Sequence, residues 1–186
     1  MAIVLMEREF EQAHTPDDMH HAAQSGRSCL EIYGVRPRMH YLARDGMRCT
    51  CVFEAPDAEA MRNVIRTSGV SFPKGVWSST VHPAPGDVPD SPPVLQTANG
   101  VLAVVEREFP EPVVFDDIQA IEDKASLCLQ MHRVRFVRSY FAVDRRRMVC
   151  LYEAPDVEAV RLANRQAGLP FETAWGAQVV VTGGEG

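Results

Sequence analysis

Residues 53–62 read "FEAPDAEAMR", and residues 152–161 read "YEAPDVEAVR". In both, an apolar run ends at a Glu-Ala pair and Pro sets the turn. Asp then stands where a helix needs its N-cap, and acidic residues fill the first turn that follows. A strand that turns into a capped helix is written twice in one chain of 186 residues.

The echo extends far beyond ten residues. With Glu7 placed on Glu106 and no gap, "EREF" meets "EREF" and Cys29-Leu30 meets Cys128-Leu129. Tyr41 then meets Tyr140, Asp45 meets Asp144, Cys51 meets Cys150 and Gly69 meets Gly168. One deletion in the second copy brings Trp77 onto Trp175. An offset held this long marks a duplication, and its period is that of a small domain rather than a solenoid repeat. Residues 1–82 form the first copy and residues 100–182 the second. Between them, residues 83–99 are rich in Pro and lack periodicity, which predicts an extended, semi-rigid linker. The tail "GGEG" follows the last strand and cradles no phosphate.

Within a copy, "AIVLMEREF" or "VLAVVEREF" predicts a first strand. "TPDDMHHAAQSGRSCLEIYG" predicts a helix capped by Thr15 or Asp17, and "FDDIQAIEDKASLCLQMH" is its Gly-free counterpart. "VRPRMHYLARDG" and "MRCTCVFEA" predict a hairpin through Asp45-Gly46, matched by "VRFVRSYFAVDRR" and "RMVCLYEA". The "APD" helix follows, closed by Gly69 as C-cap, and "VWSSTVHP" or "AWGAQVVVT" supplies the last strand. The order β-α-β-β-α-β is the split βαβ of a ferredoxin-like plait. The fold class is therefore α+β, with two plaits whose open sheet faces pack together as an intramolecular dimeric α/β barrel.

A net charge of -6 argues against a nucleic-acid footprint and against docking on an anionic membrane. The apolar run at the N-terminus is too short for a signal peptide or a membrane span, so a cytoplasmic location is expected. Five Cys, an odd number, point to reduced thiols. No Walker loop, G-x-S-x-G, H-E-x-x-H or paired C-x-x-C is present.

"EREF", "SYFAVD", "CLYEAPDVEAVR" and "AGLPF" in the second copy, with "EREF", "CVFEAPDAEAMR" and "SGVSF" in the first, give the chain a resemblance. It resembles the small, single-domain, ferredoxin-like nickel-binding proteins of bacteria, long grouped as a domain of unknown function. The resemblance covers nearly all of each copy. It implies a dimeric α/β barrel, here supplied by the tandem copies, and a bound nickel or other divalent ion. The chain departs from the family where His is common: Met39 and Arg138 stand before the Tyr of the second strand, and Val64 and Ala163 stand within the later helix.

The residues themselves offer three candidate groups. His14, Asp17, His20 and His21 cluster at the start of the first helix, where imidazole and carboxylate could meet a divalent ion such as Ni²⁺. A solvated polar helix start is the simpler alternative. Glu7, Glu106, Tyr41 and Tyr140 form a duplicated polar set on the sheets, suited to a small molecule in a cleft between them. That would make the protein a small-molecule binder or a cofactor-free enzyme. An ion pair of the carboxylates with Arg36 or Arg135 is the plainer role. Cys49 and Cys51, two apart, share one strand face. Cys51 and Cys150 read as small buried hydrophobes, and Cys29 and Cys128 as helix-core residues. Exposed strand edges make a homodimer of such pseudo-dimers plausible.

Overall fold

A computed structural model of the protein describes residues 1–182, the side chain of Glu122 excepted; the "GGEG" tail at 183–186 lies outside the described residues. The first copy runs β1 (Ala2–Glu9), α1 (Pro16–Ser25), α2 (Arg27–Ile32), β2 (Arg36–Ala43), β3 (Arg48–Ala55), α3 (Ala58–Ser68) and β4 (Gly75–Pro83). The second runs β5 (Val101–Glu108), α4 (Phe115–Lys124), α5 (Ser126–Met131), β6 (Arg135–Ala142), β7 (Arg147–Ala154), α6 (Val157–Gln166) and β8 (Thr173–Val181). The fold is α+β, and each copy is a ferredoxin-like plait. All strand pairs within a copy are antiparallel, in the order β4-β1-β3-β2 and β8-β5-β7-β6. The chain divides into two compact units, Met1–Ser79 with Gln178 onward, and Thr80–Ala177.

The repeated "EAPD" does what its chemistry requires. Asp57 Oδ1 accepts the Ala60 N–H at 2.8 Å and opens α3; Asp156 does the same for Ala159 at 2.8 Å and opens α6. Gly69, at φ 70°, closes α3. Thr15 rather than Asp17 caps α1, in a capping box with Asp18. One predicted helix per copy is in fact two, α1–α2 and α4–α5. The break falls at Gly26 in one copy and at Ala125 in the other, with the same backbone angles. Glycine is therefore not its cause.

Period-2 alternation sorts the strand residues into two faces. In the first unit Val4, Met6, Leu42, Cys49, Cys51 and Phe53 pack with Met19, Leu30, Met61, Val64 and Ile65 of the helices. In the second, Ala103, Val105, Phe141, Met148, Cys150 and Tyr152 pack with Ile118, Leu129, Val160 and Ala163. The segment between β4 and β5 is tied down inside the second unit. The fully buried Arg138 guanidinium pairs with Asp87 at 2.7 Å and donates to the carbonyls of Pro89, Val88 and Ser91.

Candidate metal centre

The hairpin β2–β3 brings three side chains together. Counting outward from the Asp45-Gly46 turn, Leu42 pairs with Cys49 and His40 with Cys51. Alternation places His40, Cys49 and Cys51 on the face that meets the helices. Among the described residues, they are the His/Cys/Asp/Glu group whose ligand atoms gather, all within 4.8 Å of one another and all buried. The two sulfurs lie 3.6 Å apart.

The electrostatics favour a ligand-ready pair. The hydrogen bond with Cys49 pulls the Cys51 thiol well below its ordinary range, against the opposing effect of burial, with the charges of His40 and Arg8 helping. The same bond, with burial, pushes Cys49 well above its ordinary range. Cys51 is thus the more acidic thiol of the pair. The His40 ring stands edge-on to Phe53, with centroids 6.0 Å apart. Its Nε2 meets Thr182 Oγ1 at 2.6 Å, while Nδ1 is buried without a hydrogen-bond partner. A buried polar atom with nothing to bond is costly and calls for an explanation. A metal ion would supply one, and two thiols with an imidazole are a donor set that fits a thiophilic transition metal. His40 and Cys51 also line a cavity of about 70 Å³ between the helices and the sheet, together with Arg8 and the methionines Met6, Met19 and Met61.

The second copy lacks this arrangement. Ser139, Met148 and Cys150 occupy the positions of His40, Cys49 and Cys51. Where the first copy has Arg8, Phe53 and Ile65, the second has Arg107, Tyr152 and Asn164, all buried. Arg107 donates to Asn164 Oδ1 at 2.6 Å, to Tyr152 Oη at 3.1 Å and to the Pro170 carbonyl at 2.5 Å. Arg8 instead lies over Phe10 and donates to Ser71 at 3.2 Å.

The other candidate residues are placed differently. His14 stacks on Phe10, and its Nδ1 meets the Gln12 carbonyl at 2.9 Å. Asp17, His20 and His21 are exposed. Glu7 and Tyr41 lie on the sheet face turned away from the helices, both buried; the Tyr41 hydroxyl donates to Met39 Sδ at 3.2 Å. Glu106 and Tyr140 take the matching face in the second unit, where Glu106 accepts from Trp175 Nε1 at 2.9 Å. Arg135 pairs with Glu153 at 2.6 Å.

Among the described residues, no helix is long and apolar enough to cross a membrane. No curated protein matches the chain. Solved structures do. A candidate chlorite dismutase, TA0507, shares 16% identity with a TM-score of 0.52, covering 98% of this chain and 95% of that one. A mutant chlorite dismutase from Candidatus Nitrospira defluvii, in complex with cyanide, shares 10% identity with a TM-score of 0.50, covering 95% and 90%. At these identities the likeness is one of fold alone. The profile of the family described as "Nickel responsive protein SCO4226-like" matches twice, over residues 5–74 and 104–175. The two matches fall one within each plait and span most of the sequence, so the chain belongs to the SCO4226-like family of nickel-responsive proteins.

Proposed function

We propose that the protein binds a thiophilic transition-metal ion through His40, Cys49 and Cys51 of its first copy. The observation behind this reading is the buried trio itself, with its ligand atoms within 4.8 Å and the His40 Nδ1 lacking a hydrogen bond. Membership of a nickel-responsive family supports a metal-related role. Nickel(II), the ion of the family's name, is the reference ion for a titration. His40 would orient through its bond to Thr182, the arrangement by which ligating imidazoles are usually held. The bound ion would supply a Lewis-acidic centre screened from water by the helix layer.

The test is metal uptake by reduced, tag-free protein, titrated with nickel(II) and other transition ions. The control variant is His40→Ser/Cys49→Met, which installs the residues that the second copy already accommodates. Wild type is expected to take up one equivalent and the variant to lose at least about tenfold in affinity with its thermal midpoint kept. A His20→Ala/His21→Ala variant is expected to bind as wild type does. Loss of uptake there would move the site to the start of α1. Uptake unchanged in His40→Ser/Cys49→Met would reject the trio.

A further inference from the structure

We propose that the His40–Cys49–Cys51 trio is built for a soft monovalent cation of the copper(I) class, in preference to nickel(II). This rests on the reading that the trio holds a metal.

Donor chemistry comes first. Two thiols and an imidazole are the three protein donors, and thiolate and thioether ligands select copper(I) or zinc over harder ions, whereas nickel(II) favours a tetragonal nitrogen- and oxygen-rich set. The adjoining cavity adds more sulfur and almost no oxygen. Met6, Met19 and Met61 line it, and the side-chain oxygen among its lining residues comes from Ser68 alone. Met6 is the register partner of Cys51 across β1 and β3, so its thioether is a candidate for a further soft donor. The Gln, Asp and Glu side chains that would complete a nickel square or octahedron do not line this cavity.

Charge is the second consideration. All three donor residues are buried, and a buried net charge is costly. A bound ion displaces both thiol protons and leaves two negative charges, and Arg8, half-buried along the same cavity, returns one positive charge. A monovalent ion brings the group to neutrality; a divalent ion leaves one positive charge in excess. In the second copy, which keeps one of the two cysteines and lacks the histidine, the corresponding Arg107 donates to neutral oxygen partners.

The experiment uses the full chain, reduced and handled without oxygen. Copper(I) is supplied from a competing chelator, and nickel(II) and zinc(II) are supplied as salts. Binding of one copper(I) is expected, with an X-ray absorption edge showing sulfur and nitrogen neighbours and no oxygen. Cys49→Ser and Cys51→Ser should each weaken copper(I) binding at least about tenfold, with circular dichroism unchanged. Arg8→Gln should strengthen nickel(II) and zinc(II) relative to copper(I) by about tenfold, because the excess charge is then removed. Stoichiometric nickel(II) bound with oxygen neighbours and lost in the cysteine variants would overturn the copper(I) preference and leave the metal reading standing. No ion bound under any condition would overturn both. Copper(I) retained in both cysteine variants would overturn the assignment to this trio.

Discussion

Glu153 shows how one carboxylate organises a neighbourhood. It is almost fully buried at the end of β7, and burial alone would raise its pKa. The N–H groups of Gln96 and Thr97, the Thr97 hydroxyl and the Arg135 guanidinium outweigh burial and bring it down to about 2. Because the folded value is depressed below the ordinary 4.5, its contribution to stability is fully present above about pH 4.5. It is lost as pH falls through the folded value near 2. Glu153→Gln should flatten that acid limb in denaturant titrations and cost about 1–3 kcal/mol at neutral pH, since the Gln96 and Thr97 donors lose a charged acceptor. Equal acid sensitivity in variant and wild type would show that other carboxylates govern it. Little of this could be read from sequence, where residues 83–99 look like a bare linker. The acceptor that holds them lies 56 and 57 residues further on, and only the folded register of β6 and β7 sets Arg135 beside it.

The elements were far more legible. The "EAPD" junctions, the caps and the hairpin turns depend on local chemistry, and local chemistry is written in consecutive residues. The split of the first helix was not, because Ala125 breaks it as well as Gly26 does. The hairpin turns carry a further test. Gly46 has φ 73°, and a Cβ there would stand 2.5 Å from the His14 carbonyl oxygen and 2.8 Å from the His14 nitrogen. The same turn position in the second copy is Arg145, at φ 61°. A side chain in this left-handed region is strained, and glycine is not. Arg145→Gly should stabilise the protein by about 0.5–1 kcal/mol, and Gly46→Ala should destabilise it by about 1–3 kcal/mol, both measured by thermal unfolding. A neutral Gly46→Ala would show that the loop holding His14 yields at no cost. The His40–Cys49–Cys51 trio follows from equally local chemistry. A turn at Asp45-Gly46 fixes His40 opposite Cys51 and puts Cys49 diagonal to it. The repeat does not mark it, since Ser139 and Met148 break the match between the copies.

At the scale of the molecule, the two plaits share a backbone and differ in what fills the space beneath their helices. In one, a cavity opens beside sulfur and imidazole; in the other, an arginine, a tyrosine and an asparagine satisfy one another. Phe53→Tyr/Ile65→Asn would install the second pattern in the first copy. Arg8 should then turn inward as Arg107 does, and uptake of the ion should fall at least about tenfold while the fold persists. Unchanged uptake would show that the cavity plays no part in binding. A pair of separate identical chains inherits every substitution in both members, so a costly innovation is doubled and a harmful one has no spare. Joining the copies in one gene frees each to drift alone. Here one copy holds a histidine and two cysteines where its twin holds a serine, a methionine and a single cysteine.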